Sequence, residues 1–298
     1  LDTPPASRWE EAHLGESSSR GGAVPVAREK EASLTPNAVQ DVAIIGAGGP
    51  FGAVVAQELK ERHRLRLCDI RPLAEIAREG REQMPGAPIP VPLPEHREYI
   101  ADIGDPVALR AACDGADAII NLSVIREGVK RAFAVNAIGV YNLLMAARDC
   151  GIRRVVQTGP EMLFISGNAE YDGCFDLSEE TPPRSGLNIY AFSKLMGHEI
   201  ARVFAETEGI EAPTLLFAQL INPNYCGAVI PIAVTWRDAA RALRAALEAP
   251  VLPHPYEVFY VTADTPLGIV RNDKIKRVLG WRPQDSLEKF WLSPEMRY

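Results

Sequence analysis

The sequence predicts an α/β fold: an open, doubly wound parallel sheet with helices on both faces. Three observations predict it. From Asp41 to about residue 218, short apolar runs alternate with amphipathic stretches. A glycine-rich turn, residues 46–52 (GAGGPFG), joins the first run to the first helical stretch. The second run closes on an acidic residue, Asp69. Near-continuous apolar strands separated by helices mark βαβ units and a sheet buried on both faces.

The elements follow in order. DVAIIG reads as a buried strand and AVVAQELKER as a helix. RLRLCDI is the second strand and LAEIAREGREQM the next helix. Prolines at 85, 88, 90, 92 and 94 keep PGAPIPVPLP out of helix and central strand, so it is a semi-extended loop. REYIAD is the third strand. PVALRAACDG is a helix, ADAIINL a strand, and a long helix covers REGVKRAFAVNAIGVYNLLMAARDCG. RRVVQTG is a strand, Tyr190 to Thr207 a helix, and PTLLFAQ a further strand. DAARALRAALEAP, YEVFYVT and NDKIKRVLGW form a smaller mixed segment, expected over the carboxyl edge of the sheet.

Composition narrows the class of function. Of 298 residues, 47% are hydrophobic and the net charge is −7, which argues against nucleic acid or an anionic membrane as partner. No apolar run approaches the ~20 residues of a membrane span. The polar N-terminus lacks the apolar core of a signal peptide, so cytoplasmic localisation is the expectation. The chain opens on Leu1, and at least a methionine is expected to have been lost. Cys68, Cys113, Cys150, Cys174 and Cys226 are odd in number and widely spaced, so neither a disulfide framework nor a metal site is expected.

In the glycine turn, Gly46 permits the sharp exit from the strand, Gly49 lets backbone approach a phosphate, and Gly52 lets helix and strand pack closely. Pro50 and Phe51 lie in the turn that leads into the helix, whose unpaired amides and positive dipole end suit a pyrophosphate. Asp69 lies 23 positions after Gly46, where a carboxylate accepts from both ribose hydroxyls and repels a 2′-phosphate. That favours NAD over NADP, with Arg71 beside Ile70 as the opposing signal. Asp102, with Ile103, follows the third strand and is placed either to touch adenine or to cap a turn. The domains are then an irregular arm over 1–40, an NAD-binding domain over 41–218, and a small lobe over 219–298 that completes the same fold and takes the substrate.

Together the glycine turn, Asp69, Asp102-Ile103, Asn121-Leu122-Ser123, Asn136 and Tyr190-Ala-Phe-Ser-Lys194 resemble the extended short-chain dehydrogenase/reductases, the NAD-dependent epimerase/dehydratase type with a Rossmann fold. The resemblance runs from about residue 41 to 295. Within the family, LRLCDIRP, VNAIGVYNLLMAARDCGIRRVV, VTWRDAARALRAALEAPVL and LGWRPQDSLEKF are most similar to uronate dehydrogenases and related sugar dehydrogenases.

The resemblance implies that Tyr190 is the general acid/base and that Lys194 holds the nicotinamide ribose and lowers the tyrosine pKa. It implies cofactor contacts from residues 46–52, from Asp69, Ile70 and Arg71, from Asp102 and Ile103, and from Asn121, Leu122 and Ser123. Asn136 matches an asparagine that shapes its helix and a proton-relay water; a plain core asparagine is the alternative. The third catalytic group of the family, a Ser or Thr after the fifth strand, falls on Pro160, which has neither hydroxyl nor N–H. Thr158 or Ser166 could supply that hydroxyl. A family arginine near the end of strand six is also absent from LLFAQLINP.

Arg126, after NLSVI, is either a partner for a substrate carboxylate or phosphate or a solvated cation. Asp238 reads as structural. Phe133, Val140, Leu144, Leu195, Ile200 and Phe204 give the two helices more than one apolar face, and the resemblance implies that these pair in a homodimer. The expected activity is NAD-dependent hydride transfer on a sugar-like substrate. Nucleotide-sugar epimerisation or dehydration remains open. So does a non-catalytic NAD-binding sensor or subunit, which Pro160 keeps in play.

Overall fold

The computed structural model describes residues 39–79, 87–161, 174–222, 229–265, 268–287 and 290. The expected arm up to residue 38, Ser166 and Cys226 lie outside them.

The main sheet has seven parallel strands in the order β3-β2-β1-β4-β5-β6-β9. They are β1 (Asp41–Ile45), β2 (Arg64–Asp69), β3 (Arg97–Ile100), β4 (Ala118–Asn121), β5 (Arg154–Pro160), β6 (Ala212–Phe217) and β9 (Tyr256–Tyr260). The order reverses between β1 and β4, and in such sheets ligands bind outside the carboxyl ends of the strands at that point. Both faces are covered, so the central strands are apolar on both sides. Ile44, Val55, Leu59, Ile120, Leu243 and Phe259 pack on one face. Ile45, Leu109, Ile119, Leu144 and Phe204 pack on the other. Each such side chain contributes roughly 1.5–3 kcal/mol on leaving water.

The helices are α1 (Pro50–Leu59), α2 (Leu73–Glu79), α3 (Pro106–Cys113), α4 (Val129–Phe133), α5 (Gly139–Asp149), α6 (Ile189–Thr207), α7 (Trp236–Glu248) and α8 (Asp273–Val278). Most starts are written in the sequence. Asp105 caps α3 by accepting from the Val107 and Ala108 amides, with Pro106 in the first turn. Asn188 caps α6 through Ala191 N at 3.2 Å. Thr235 caps α7 through Asp238 N at 3.1 Å.

Three expectations are revised. The long helix before β5 is interrupted by a π turn over Ala134–Ile138, between α4 and α5. The C-terminal segment is not confined to a lobe: β9 extends the main sheet beside β6, and α7 belongs to the core of one face. A separate two-stranded sheet, β7 (Gln219–Ile221) with β8 (Ala233–Thr235), lies outside the main one. Val140, Leu144 and Phe204 are buried in the chain's own core. The apolar face that α5, α6 and the π turn leave exposed is carried by Ile138, Tyr141, Phe192, Met196 and Val203.

Asp238 is structural, as expected. It is fully buried and accepts from the Gln284 and Asp285 amides and from Arg241, tying the C-terminal segment to α7. Among the described residues, no helix is long and apolar enough to cross a membrane.

Candidate active site at the switch point

The glycine turn has the shape that a dinucleotide requires. Gly46 takes φ +86, a left-handed conformation that favours glycine. A Cβ on Gly52 would lie 2.4 Å from Gly46 O and 2.6 Å from Ala47 Cα, both backbone atoms that cannot swing aside. The N-cap of α1 is Gly49, with Pro50 behind it and no side chain on the first amides. Those amides are the donors that a pyrophosphate takes up. Every feature fits the group.

Asp69 ends β2 beside this turn. Its Oδ2 accepts from Gly48 N at 2.7 Å and its Oδ1 from Ile70 N at 2.8 Å, so the carboxylate is oriented before any ribose arrives. Gly48 escaped sequence reasoning because it is not one of the three spaced glycines. A Cβ there would meet Ile76 Cδ1 at 2.4 Å and Asp69 Oδ2 at 2.8 Å. Arg71 is engaged with Glu75 and Glu79 of α2, at 3.2 and 2.8 Å, rather than offered to a 2′-phosphate. Asp102 Oδ1 accepts from Gly104 N at 2.7 Å, the turn-capping alternative, and Ile103 is buried in the core.

A cavity of about 330 Å³ opens at the carboxyl ends of β1, β4, β5 and β6. The glycine turn, including Pro50 and Phe51, forms one wall, and Tyr190 and Lys194 of α6 form another. Leu122, Val124 and Arg126 enter from the end of β4, Thr158, Gly159 and Pro160 from β5, and Phe217, Gln219 and Trp236 from the later segment. Tyr190 and Lys194, one helical turn apart, are thus brought together with the glycine turn, Arg126 and Thr158. Ser166 lies outside the described residues.

Lys194 is nearly inaccessible at 4% exposure. Its ammonium donates to Ser123 O at 3.0 Å and to Thr158 O at 3.3 Å. Burial, and then the nearby Arg126 charge, pull its pKa down to about 7. Burial pushes the Tyr190 hydroxyl above its ordinary value, and the charge and hydrogen bonding of Arg126 oppose that. His198, absent from the sequence reading, sits one turn beyond Lys194 on the same face. Its Nε2 lies 3.3 Å from Thr158 O, and burial next to Lys194 brings its pKa down to about 3. The spacing 190, 194, 198 was the available signal. Glu161, one residue past Pro160, is fully buried and held toward its neutral form by burial and by Glu179.

Asn136 is fully buried in the π turn. Its Oδ1 accepts from Ile125 N at 3.0 Å, and its Nδ2 donates to Ile125 O at 2.7 Å and to Ser193 Oγ at 2.9 Å. It therefore ties the residue before Arg126 to the residue before Lys194. Asn121 donates to Gln157 Oε1 at 2.9 Å and accepts from Ser123. The Thr158 hydroxyl donates to Asn121 O at 2.8 Å. Thr158, one of the two residues expected to supply the missing catalytic hydroxyl, thus bonds the backbone of β4 here.

Residues 42–235 match the NAD dependent epimerase/dehydratase family. The chain is 24% identical to the NAD-dependent glucose-6-phosphate dehydrogenase of Haloferax volcanii over 286 residues, covering 86% of this chain and 97% of the relative. It is 29% identical to the uronate dehydrogenase of Agrobacterium fabrum over 198 residues, covering 63% and 69%. Among solved structures, glucuronic acid dehydrogenase from Chromohalobacter salexigens superposes with a TM-score of 0.71 at 24% identity, covering 87% of this chain and 90% of that one.

Proposed function

The chain belongs to the NAD-dependent epimerase/dehydratase family, and from that premise we propose that it is an NAD-dependent dehydrogenase of a sugar or sugar acid, with Tyr190 as general acid/base. The observation that carries the reading is the placement of Tyr190 and Lys194 in one cavity with the glycine turn. Both curated relatives are sugar dehydrogenases, which supports net oxidation over epimerisation.

The residues divide the work. The amides at the start of α1 and the Asp69 carboxylate hold the cofactor, Asp69 on the adenosine ribose. Bound NAD supplies the hydride acceptor. Lys194, anchored on the carbonyls of Ser123 and Thr158, presents its remaining donor capacity to the second ribose. Asn136 keeps that helix in register with the β4 loop. Tyr190 takes the proton of the substrate hydroxyl. In the chain alone Tyr190 is protonated at neutral pH, because its hydroxyl is pushed up by burial. Positive charge brought close to it is what makes the tyrosinate accessible.

We place the working protein in the cytoplasm as a homodimer, joined through the apolar face of Ile138, Tyr141, Phe192, Met196 and Val203. A panel of uronic acids, aldoses, sugar phosphates and nucleotide sugars, followed by NADH absorbance, tests the activity. NADH formation with one of them, lost in Tyr190→Phe while NAD still binds, is the expected result. NAD binding with no turnover of any of them would overturn it.

A further inference from the structure

We propose that Arg126 is a catalytic residue that donates to the reacting oxygen of the substrate alongside Tyr190, in place of the hydroxyl that Pro160 lacks. The inference rests on the dehydrogenase reading above. It starts from a missing donor. An alcohol oxygen that loses its proton develops negative charge, and a site that leaves that charge without a donor loses about 10²–10³ in rate. Pro160 offers neither O–H nor N–H, and Gly159 has no side chain. The Thr158 hydroxyl is held by Asn121 O at 2.8 Å.

Arg126 lines the same cavity. Its guanidinium carbon lies 5.6 Å from the centre of the Tyr190 ring. Among the described residues lining the cavity, Arg126 and Lys194 are the charged ones. Lys194 is already committed to two carbonyls. Among the described residues no carboxylate lines the cavity beside Arg126. Arg126 therefore reaches the cavity without a competing anion while the rest of its side chain stays exposed.

The placement is built rather than incidental. Asn136 clamps both backbone groups of Ile125, immediately before Arg126, and the same side chain holds Ser193, immediately before Lys194. One buried asparagine thus ties the backbone next to Arg126 to the helix that carries Tyr190 and Lys194. The same contact bears on Tyr190: Arg126 acts against the effect of burial on that hydroxyl. In turnover the proton of the substrate hydroxyl goes to the Tyr190 oxygen. Arg126 gives up none and forms no bond; it stabilises the charge that both oxygens share.

Arg126→Met, Arg126→Lys and Arg126→Ala in the full chain test this. The first readout needs no turnover. Tyrosine labelled with carbon-13 at Cζ is followed by NMR through pH, with Tyr190→Phe to assign the signal. The Tyr190 titration is expected to move up in Arg126→Met. The second readout is kinetic: kcat falls about 10²–10³-fold with NAD affinity retained, and added guanidinium ion restores part of the rate in Arg126→Ala. An unmoved Tyr190 titration overturns the proposal. So does a rise in KM alone with kcat kept, which would make Arg126 only an anchor for a substrate anion. If the wild type turns over no sugar, the dehydrogenase reading fails, and the titration still decides whether Arg126 acts on Tyr190.

Discussion

Replacing Lys194 with methionine should make the cofactor-free protein more stable at neutral pH while abolishing its activity. The magnitude follows from burial. Lys194 has a pKa of about 7 in the folded chain against 10.5 for a free lysine. At ~1.4 kcal/mol per unit this gap is a penalty of roughly 5 kcal/mol on the folded state when the group is protonated in both states. Methionine has similar length and no charge to desolvate. Its cost is the loss of the bonds to Ser123 O and Thr158 O. An acceptor left unsatisfied costs about 1–3 kcal/mol, and Thr158 O keeps His198 as a partner. The net expectation is a gain of about 2–4 kcal/mol, or several degrees in Tm.

The pH dependence gives the prediction its sign. Between about pH 7 and 10.5 the unfolded chain binds more protons at this lysine than the folded one, so wild-type stability rises with pH. The penalty is complete below the folded pKa and gone above the unfolded one. Lys194→Met lacks the term, so its advantage is greatest at and below neutrality and shrinks toward pH 10. Cys68 and Cys113, whose pKa values burial raises, titrate in both proteins and cancel in the difference. Urea denaturation of the two cofactor-free proteins across this range measures it. A variant less stable at neutral pH, or a gap that does not change with pH, would refute the reasoning.

Three further outcomes are expected. Calorimetry should find NAD bound at least ~10-fold more tightly than NADP, about 1.4 kcal/mol, because Asp69 is held at the glycine turn and Arg71 is occupied by Glu75 and Glu79; equal affinities would remove Asp69 as the determinant. Gly52→Ala places a Cβ 2.4 Å from Gly46 O, so NAD affinity should fall at least ~10-fold and stability by about 1–3 kcal/mol; unchanged calorimetric titrations would show that the turn can relax. Light scattering should give a dimer of the 32.6 kDa chain, and Tyr141→Asp together with Met196→Glu should convert it to monomer by placing charge on the exposed apolar face; a wild-type monomer at micromolar concentration would end that reading.

The parts that the sequence determined alone are those with local causes. The turn at residues 46–52 was legible because only glycine tolerates φ +86 at Gly46 and the close approach at Gly52. The caps at Asp105, Asn188 and Thr235 act within three residues of themselves. Tyr190 and Lys194 share a face because four residues make about one helical turn. What tertiary structure alone decided spans long stretches of chain. The bond of the Thr158 hydroxyl to the carbonyl of Asn121, 37 residues away, depends on the parallel pairing of β4 and β5. Nothing in AVNAI announces a π turn, yet there Asn136 reaches both Ile125 and Ser193. That Arg126 lies 5.6 Å from the Tyr190 ring, 64 positions away, came only from folding. The join of β9 to β6 likewise depends on which sheet edge remains free once the other strands have paired. Propensity and dihedral limits act over a few residues and are written in their order. Partners for a hydroxyl, an amide or a charge are set by which distant backbone atoms close packing brings within 3 Å or so.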